Sequence, residues 1–115
     1  MTAGDTVFGK ILRREIPTTF LYEDDRCAVI RDIQPRAPTH LLVLPKKPLV
    51  STADATAEDE SLLGHLLKVA ADMAKQEGIG EGYRLVINNG AGAGQSVFHL
   101  HVHVLGGRKL NWPPG

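Results

Sequence analysis

Residues 96–105 read SVFHLHVHVL, and within them histidines alternate with apolar residues. Successive side chains of a β-strand point to opposite faces of the sheet. The pattern therefore predicts a strand that presents three imidazoles in a row on one face, at a Cα spacing of about 7 Å. The opposite, apolar face would pack into the core. The histidines are His99, His101 and His103, and the apolar residues are Phe98, Leu100, Val102 and Val104.

Four more segments outside this strand have the composition of β-strands. They are residues 18–23 (TTFLYE), 27–32 (CAVIRD), 40–46 (HLLVLPK) and 83–88 (YRLVIN). The first two are separated by a short acidic stretch and predict a hairpin. The continuous apolar run of the third predicts a strand that is buried on both faces.

Two helices complete the prediction. Residues Asp5 and Thr6 are candidate caps of a short helix that Pro17 would end. A long helix is expected between Thr56, a candidate N-cap, and Glu77, with a glycine directly after it. Its apolar stripe is wide enough to cover both the sheet and a partner subunit. The element order predicts an α+β fold with a five-stranded, mainly antiparallel sheet.

Composition limits the classes of function. The 115 residues predict a single domain, residues 1–115, and the 13 basic and 13 acidic side chains cancel. This balance argues against binding to a nucleic acid polymer, although a mononucleotide needs only a few donors. Cys27 is the only cysteine, which fits a reducing compartment, and no apolar run approaches 18 residues. A cytoplasmic protein without a membrane partner is therefore expected.

A row of imidazoles can bind a transition metal, or it can carry out nucleophilic and acid–base chemistry on a phosphate. The histidine side chain has a pKa of about 6.5, so at neutral pH most of it is unprotonated and nucleophilic. The preceding residues 88–96 read NNGAGAGQS and lead into a strand, so they form neither a Rossmann fingerprint nor a P-loop. This loop can supply backbone N–H groups and the Ser96 hydroxyl close to the histidines.

The segment HLHVHV resembles the His-φ-His-φ-His signature (φ apolar) of the histidine-triad superfamily. The resemblance extends through DTVFGKILRREIP, DIQPRAPTHLLVLPKK, GYRLVINNG, GQSVFHLHVHVLGGR and WPPG, over residues 5–115. The ending and the GQS sequence are similar to the Hint branch, the histidine-triad nucleotide-binding proteins. A histidine at the third triad position, rather than glutamine, separates the chain from the uridylyltransferase branch.

The resemblance implies a role for each matching residue. His101 would be the nucleophile that forms a nucleotidyl-histidine intermediate. His99 and His103 would contact phosphate oxygens and orient the attack, and His40 would support the triad. The remaining matches are Ser96, Asn88, Gly94 and Gln95 around the phosphate and leaving group, Asp32 at the ribose, and Phe8, Ile11, Ile30 and Ile33 in the base pocket.

The resemblance also implies an activity. Members of this branch are homodimers that hydrolyse the P–N bond of adenosine 5′-phosphoramidates without a metal or other cofactor. The expected ligand is a purine mononucleotide such as AMP or GMP. Ile30 and Arg31 stand where relatives commonly carry an aromatic residue and a histidine, which bears on base preference.

Two other functions remain open at this point. One is a zinc site, or a zinc-dependent hydrolase, built on the row of His99, His101 and His103. No carboxylate is obviously placed in the sequence to support three such ligands. The other is a non-catalytic mononucleotide-binding dimer. His65 is expected to face solvent or an interface, and Cys27 is expected to be a small core residue.

Overall fold

A computed structural model describes residues 3–115. It confirms the predicted α+β fold, with five strands in one antiparallel sheet of order β1-β2-β3-β5-β4. The strands are β1 (Tyr22–Glu23), β2 (Cys27–Arg31), β3 (Thr39–Pro45), β4 (Tyr83–Val86) and β5 (Val102–Gly106), and the helices are α1 (Val7–Leu12) and α2 (Glu60–Gln76).

The two faces of the sheet have different cover. One face packs against α2 through a core that includes Cys27, Val29, Leu41, Val43, Leu66, Val69, Met73, Val102 and Val104. The other face carries a smaller cluster of Ile30, Leu42 and Leu44, which packs against Phe8 and Ile11 of α1. Since α1 has only six residues, it covers only part of this second face. His40 and His103 lie on the remainder of this face.

α1 begins at its predicted cap, Thr6, whereas the predicted cap Thr56 begins a 3-10 turn and the N-cap of α2 is Asp59. The Thr6 hydroxyl accepts a hydrogen bond from the Gly9 N–H at 3.2 Å. Thr56 and Asp59 form a capping box on a 3-10 turn that leads directly into α2. α2 ends just before Gly78, whose φ of 80° suits a glycine at this position.

The predicted end of α1 is wrong. The helix stops at Leu12, with Arg13 as its C-cap, well before Pro17. Arg14 follows with a positive φ of 61° and turns the chain away from the helix axis. Its side chain is held there by an ion pair with Glu23 at 2.6 Å and by stacking over the Phe20 ring. The turn is therefore stabilised by side-chain contacts that the proline signal did not reveal.

The prediction of a strand over residues 96–105 is correct only in its second half. Pairing between β5 and β3 stops at Val102 opposite Val43, and residues 96–101 leave the sheet. Pro45 has no N–H with which to continue the ladder, and the Leu100 N–H donates instead to the Leu49 carbonyl at 2.7 Å. Phe98, expected in the core, is 42% exposed.

Over residues 3–115, neither helix combines the length and the apolar character needed to cross a lipid bilayer.

Candidate active site

Strand register brings the residues of the site together. Ile30 on β2 lies opposite Leu42 on β3, and Leu42 lies opposite His103 on β5. Paired residues share a face, and so do residues two apart on one strand, so His40 lies on the same face as all three. Two histidines that are 63 residues apart in sequence thus meet on the side of the sheet that α1 only partly covers.

His101 is held in one tautomer by the backbone. Its Nδ1 lies 2.7 Å from the carbonyl oxygen of His99, and a carbonyl can only accept, so Nδ1 carries the proton. In a neutral imidazole the lone pair then resides on Nε2. The ring is 6% exposed and lies edge-on to the Phe8 ring, with the two centroids 4.9 Å apart. His101 therefore presents an unprotonated nitrogen beside an apolar wall.

Two consecutive hydrogen bonds hold His103 in the opposite tautomer. The Arg36 N–H donates to Nδ1 of His40 at 3.0 Å, so the proton of neutral His40 is on Nε2. That Nε2–H donates to Nδ1 of His103 at 2.8 Å, which places the His103 proton on Nε2. Asp32 Oδ2 lies 3.4 Å from His40 Nε2 and favours the proton there. The rings of His101 and His103 are 4.8 Å apart, one offering a lone pair and the other an N–H.

Burial keeps these imidazoles uncharged. Loss of solvation lowers the pKa of His101 and of His40 below the usual value, and the negative charge of Asp32 only partly offsets this effect. The pKa of His103 falls to about 4, first through burial and then through its histidine neighbours. All three are neutral at pH 7, as a nucleophile and its hydrogen-bonding partners must be.

His99 does not join the row that the alternation predicted. It is 1% exposed, and its Nε2 lies 2.8 Å from the Pro45 carbonyl, to which it donates. Burial lowers the pKa of this ring, against the opposite effect of the nearby Pro45 and Ala3 carbonyls. Its side chain borders a separate cavity beside Gly9 and Lys46. The physical reason is that residues 96–101 leave the sheet, so strict alternation holds only from His101 onward.

A cavity of about 340 Å³ opens in front of His101 and His103. Of the residues expected at a nucleotide, it is lined by Phe8, Ile11, Ile30, Asp32, Ile33 and Ser96. Ile33 is 94% exposed and stands at the rim. Sequence reasoning missed Val7, Thr18, Gln34, Leu42 and Val97. Of these, only Leu42 had a usable signal, because its place opposite Ile30 follows once the strand register is known.

Three residues expected around the phosphate lie outside this cavity lining. The Gln95 side chain is 3% exposed and is bonded to three backbone groups, those of Gly90, Val50 and Val97. It therefore shapes the glycine-rich loop. The Asn88 amide lies under Gly94, where an added Cβ would be 3.8 Å from Asn88 Nδ2. Gly94 itself has a φ of 94°, which favours glycine.

Two clusters in the described chain bring three potential metal ligands within 4.8 Å of one another. They are Asp32, His40 and His103, and, elsewhere, Asp24, Cys27 and His65. Neither contains His99 or His101, so the row of three histidines considered from the sequence does not converge as a metal site. The carboxylate that sequence reasoning could not find beside the histidines is Asp32.

Comparisons with known proteins identify the family of this chain. The HIT domain family matches residues 13–110. An uncharacterized HIT-like protein of Synechococcus elongatus is 59% identical over 96% of this chain and 97% of its own length. A 14 kDa zinc-binding protein of maize is 54% identical over 96% of this chain and 88% of its own. A HIT family hydrolase from Legionella pneumophila, known from its crystal structure, is 47% identical to this chain and superposes on it with a TM-score of 0.93. The match covers 96% of this chain and 100% of that chain.

The chain therefore belongs to the HIT domain family and has the fold of a HIT family hydrolase.

Proposed function

We propose that the protein is a hydrolase that cleaves the P–N bond of purine nucleoside 5′-phosphoramidates through a nucleotidyl-histidine intermediate. The observation that carries this proposal is the pair of opposite tautomers at the cavity, with a lone pair on His101 Nε2 and an N–H on His103 Nε2. A 340 Å³ cavity with an apolar wall suits a nucleoside. The relation to a HIT family hydrolase supports the same class of reaction.

In the first step His101 Nε2 attacks phosphorus and the P–N bond breaks. Nδ1 keeps its proton, and the His99 carbonyl stabilises the positive charge that develops on the ring. His103 Nε2–H donates to a phosphoryl oxygen. The leaving nitrogen takes up a proton that the Ser96 hydroxyl relays from solvent, since Ser96 lines the cavity and is exposed.

In the second step water attacks the phosphorus, the P–Nε2 bond breaks, and the lone pair returns to His101. The water proton passes to solvent and the nucleoside monophosphate is released. Dividing one difficult displacement into two easier ones is the general advantage of covalent catalysis. Asp32, which lines the cavity and faces His40, is placed to accept hydrogen bonds from the ribose hydroxyls.

The test is release of AMP from adenosine 5′-phosphoramidate, with and without excess EDTA. The proposal expects release at the same rate in both. A protein that binds AMP without turnover would instead be a nucleotide-binding module, and release abolished by EDTA would indicate a zinc-dependent enzyme. A covalent intermediate should be trapped on His101 by rapid acid quench and mass spectrometry.

Zinc binding is a second candidate function because of one cluster. The potential ligand atoms of Asp32, His40 and His103 lie within 4.8 Å of one another, and one relative is named a zinc-binding protein. A zinc ion there would displace the His40 proton that orients His103 and would therefore inhibit the proposed reaction. Added zinc should slow AMP release in proportion to occupancy, and EDTA should restore the rate.

We also propose that the protein acts as a homodimer. In the described chain β4 has a strand neighbour on one side only, and its free edge lies at the border of the sheet. The outer face of α2 leaves Leu67 43% exposed, and Ile87 after β4 is 38% exposed. The C-terminal segment is tied to β4 by a 2.8 Å bond from Arg84 to the Asn111 carbonyl, and Trp112 is 80% exposed. Across such an interface Trp112 would lie near the partner's cavity.

A further inference from the structure

A second polar cluster lies between the β1–β2 turn and α2. Asp24 Oδ2 accepts three donors, the Tyr22 hydroxyl at 2.9 Å, His65 Nε2–H at 2.6 Å and the Cys27 thiol at 3.7 Å. None of these residues lines the cavity in front of His101. His65, which was expected to face solvent or an interface, has a side chain that is 19% exposed. The proposed reaction gives this cluster no role.

The backbone fixes the direction of the Asp24 carboxylate. Its other oxygen, Oδ1, accepts the N–H groups of Arg26 and Cys27, each at 2.8 Å. With Oδ1 occupied, Oδ2 is directed at the side chains of Cys27 and His65. Cys27 belongs to the sheet core and is fully buried, so the sulfur position is rigid as well. The oxygen and the sulfur are therefore held in place by the fold.

We propose that Asp24, Cys27 and His65 form a binding site for a thiophilic divalent cation such as Zn²⁺, separate from the histidine cavity. The three potential ligand atoms lie within 4.8 Å of one another. Zinc–ligand bonds of about 2.0–2.3 Å in tetrahedral geometry place two ligands roughly 3.3–3.7 Å apart. The 3.7 Å between Cys27 Sγ and Asp24 Oδ2 meets this requirement.

The other ligand pair has to open when the cation enters. His65 Nε2 and Asp24 Oδ2 are 2.6 Å apart because a proton lies between them. Replacing that proton by a cation lengthens the separation to about 3.3 Å. His65 lies on α2, a different element from the other two ligands, and its side chain is 19% exposed, so a side-chain rotation can make this adjustment.

Binding of the cation changes the protonation of two ligands. Cys27 loses its thiol proton to solvent, and the His65 proton moves from Nε2 to Nδ1. Before a cation binds, Arg26 donates a hydrogen bond to that Nδ1 at 3.0 Å, so its guanidinium has to move away when Nδ1 takes up the proton. Arg26 is exposed and free to do so. It therefore competes with the cation, because it stabilises the tautomer that cannot bind and adds a positive charge nearby.

The experiment titrates the full-length protein with ZnCl2 against a chromophoric chelator, and repeats the titration with Co²⁺ to record the thiolate-to-cobalt absorption band. The matched variants are Cys27→Ser and His65→Ala at this cluster, and His40→Asn at the other cluster. Thermal melts without metal confirm that each variant is folded.

The wild type should bind a zinc at this cluster that His40→Asn retains and that both Cys27→Ser and His65→Ala lose. Removing a ligand should weaken binding by more than the ~10–100-fold that loss of a supporting residue costs. Arg26→Gln should strengthen binding, because glutamine can accept the Nδ1 proton. Cobalt binding without a thiolate band, zinc lost only in His40→Asn, or no zinc bound by the folded wild type would each overturn the proposal. Because the cobalt band is recorded on the wild type, the test remains decisive even if a variant fails to fold.

Discussion

The Nδ1 atom of His101 lies 2.7 Å from the carbonyl oxygen of His99, so the backbone at one histidine fixes the tautomer of another. The ring of His99 points elsewhere and is bonded to the Pro45 carbonyl. Two residues of one repeating motif thus contribute in different ways, His101 through its side chain and His99 through its main chain. The proposed reaction depends on this division.

Replacing the nucleophile should stop the reaction. His101→Ala removes Nε2, the atom that forms the covalent bond, and we expect kcat for AMP release to fall by about 10³-fold or more. Steady-state kinetics check the rate, and AMP affinity by calorimetry should change much less. Full activity in a folded His101→Ala variant would refute the covalent mechanism.

His99 should behave as a positioning residue. His99→Leu leaves the Pro45 carbonyl buried without its donor, at a cost of about 1–3 kcal/mol in the free energy of unfolding. His99→Gln keeps an N–H of similar reach and should retain more of both stability and kcat. Urea denaturation and kinetics on the pair provide the measurement. Equal stability of the two variants, with the same loss of activity, would instead indicate that the ring acts on the phosphate.

Asp32 should set the pH dependence of the reaction. Its negative charge raises the pKa values of His40, His101 and His103 against the larger effect of burial. Asp32→Asn removes this charge, so the pKa of the nucleophile falls further and the acid limb of kcat/KM moves to lower pH. We expect KM to rise as well if Asp32 holds the ribose. A pH–rate profile of both proteins checks the shift, and an acid limb that stays or moves up would contradict it.

Acid should destabilise the protein through its buried histidines. Their folded pKa values lie below the unfolded value of about 6.5, with His103 at about 4. Between these values the unfolded chain binds more protons than the folded one, so the free energy of unfolding falls as pH decreases from about 6.5 toward 4. Urea denaturation at several pH values measures this slope. His103→Asn, which cannot titrate, should show a shallower slope, and an identical slope would exclude His103 as a contributor.

The proposed dimer should depend on the outer face of α2. Leu67→Asp places a charge on an exposed apolar position, so we expect it to shift the protein toward a monomer. Light scattering coupled to size-exclusion chromatography gives the mass. Lys68→Gln, on the same helix and exposed, is the matched control. A wild type that is monomeric at all concentrations, or a dimer that Leu67→Asp leaves intact, would refute the proposed interface.

Some features of the fold and of the site could be read from local sequence. Thr6 and Thr56 cap helices because a hydroxyl satisfies free N–H groups wherever a helix begins. Leu100, Val102 and Val104 are buried as the alternation predicted. His101, His103 and the apolar wall at Phe8 do line one cavity.

Other features depended on contacts between distant segments. The strand predicted over residues 96–105 begins only at Val102, because its partner strand β3 ends at Pro45, more than 50 residues away in sequence. The ring of His99 follows that change, and no local pattern reveals it. Gln95 was expected at a phosphate, but its amide is bonded to backbone at Gly90, Val50 and Val97.

The sequence by itself determined the element types, the apolar faces and the candidate nucleophile, because caps and side-chain alternation are properties of neighbouring residues. Only the tertiary structure decided which nitrogen of each histidine carries a proton. That choice depends on which group faces each nitrogen: the His99 carbonyl for His101, and the Arg36 N–H, acting through His40, for His103. Folding brings His40 and His103, on two paired strands, within hydrogen-bond distance, and this geometry sets the proposed chemistry.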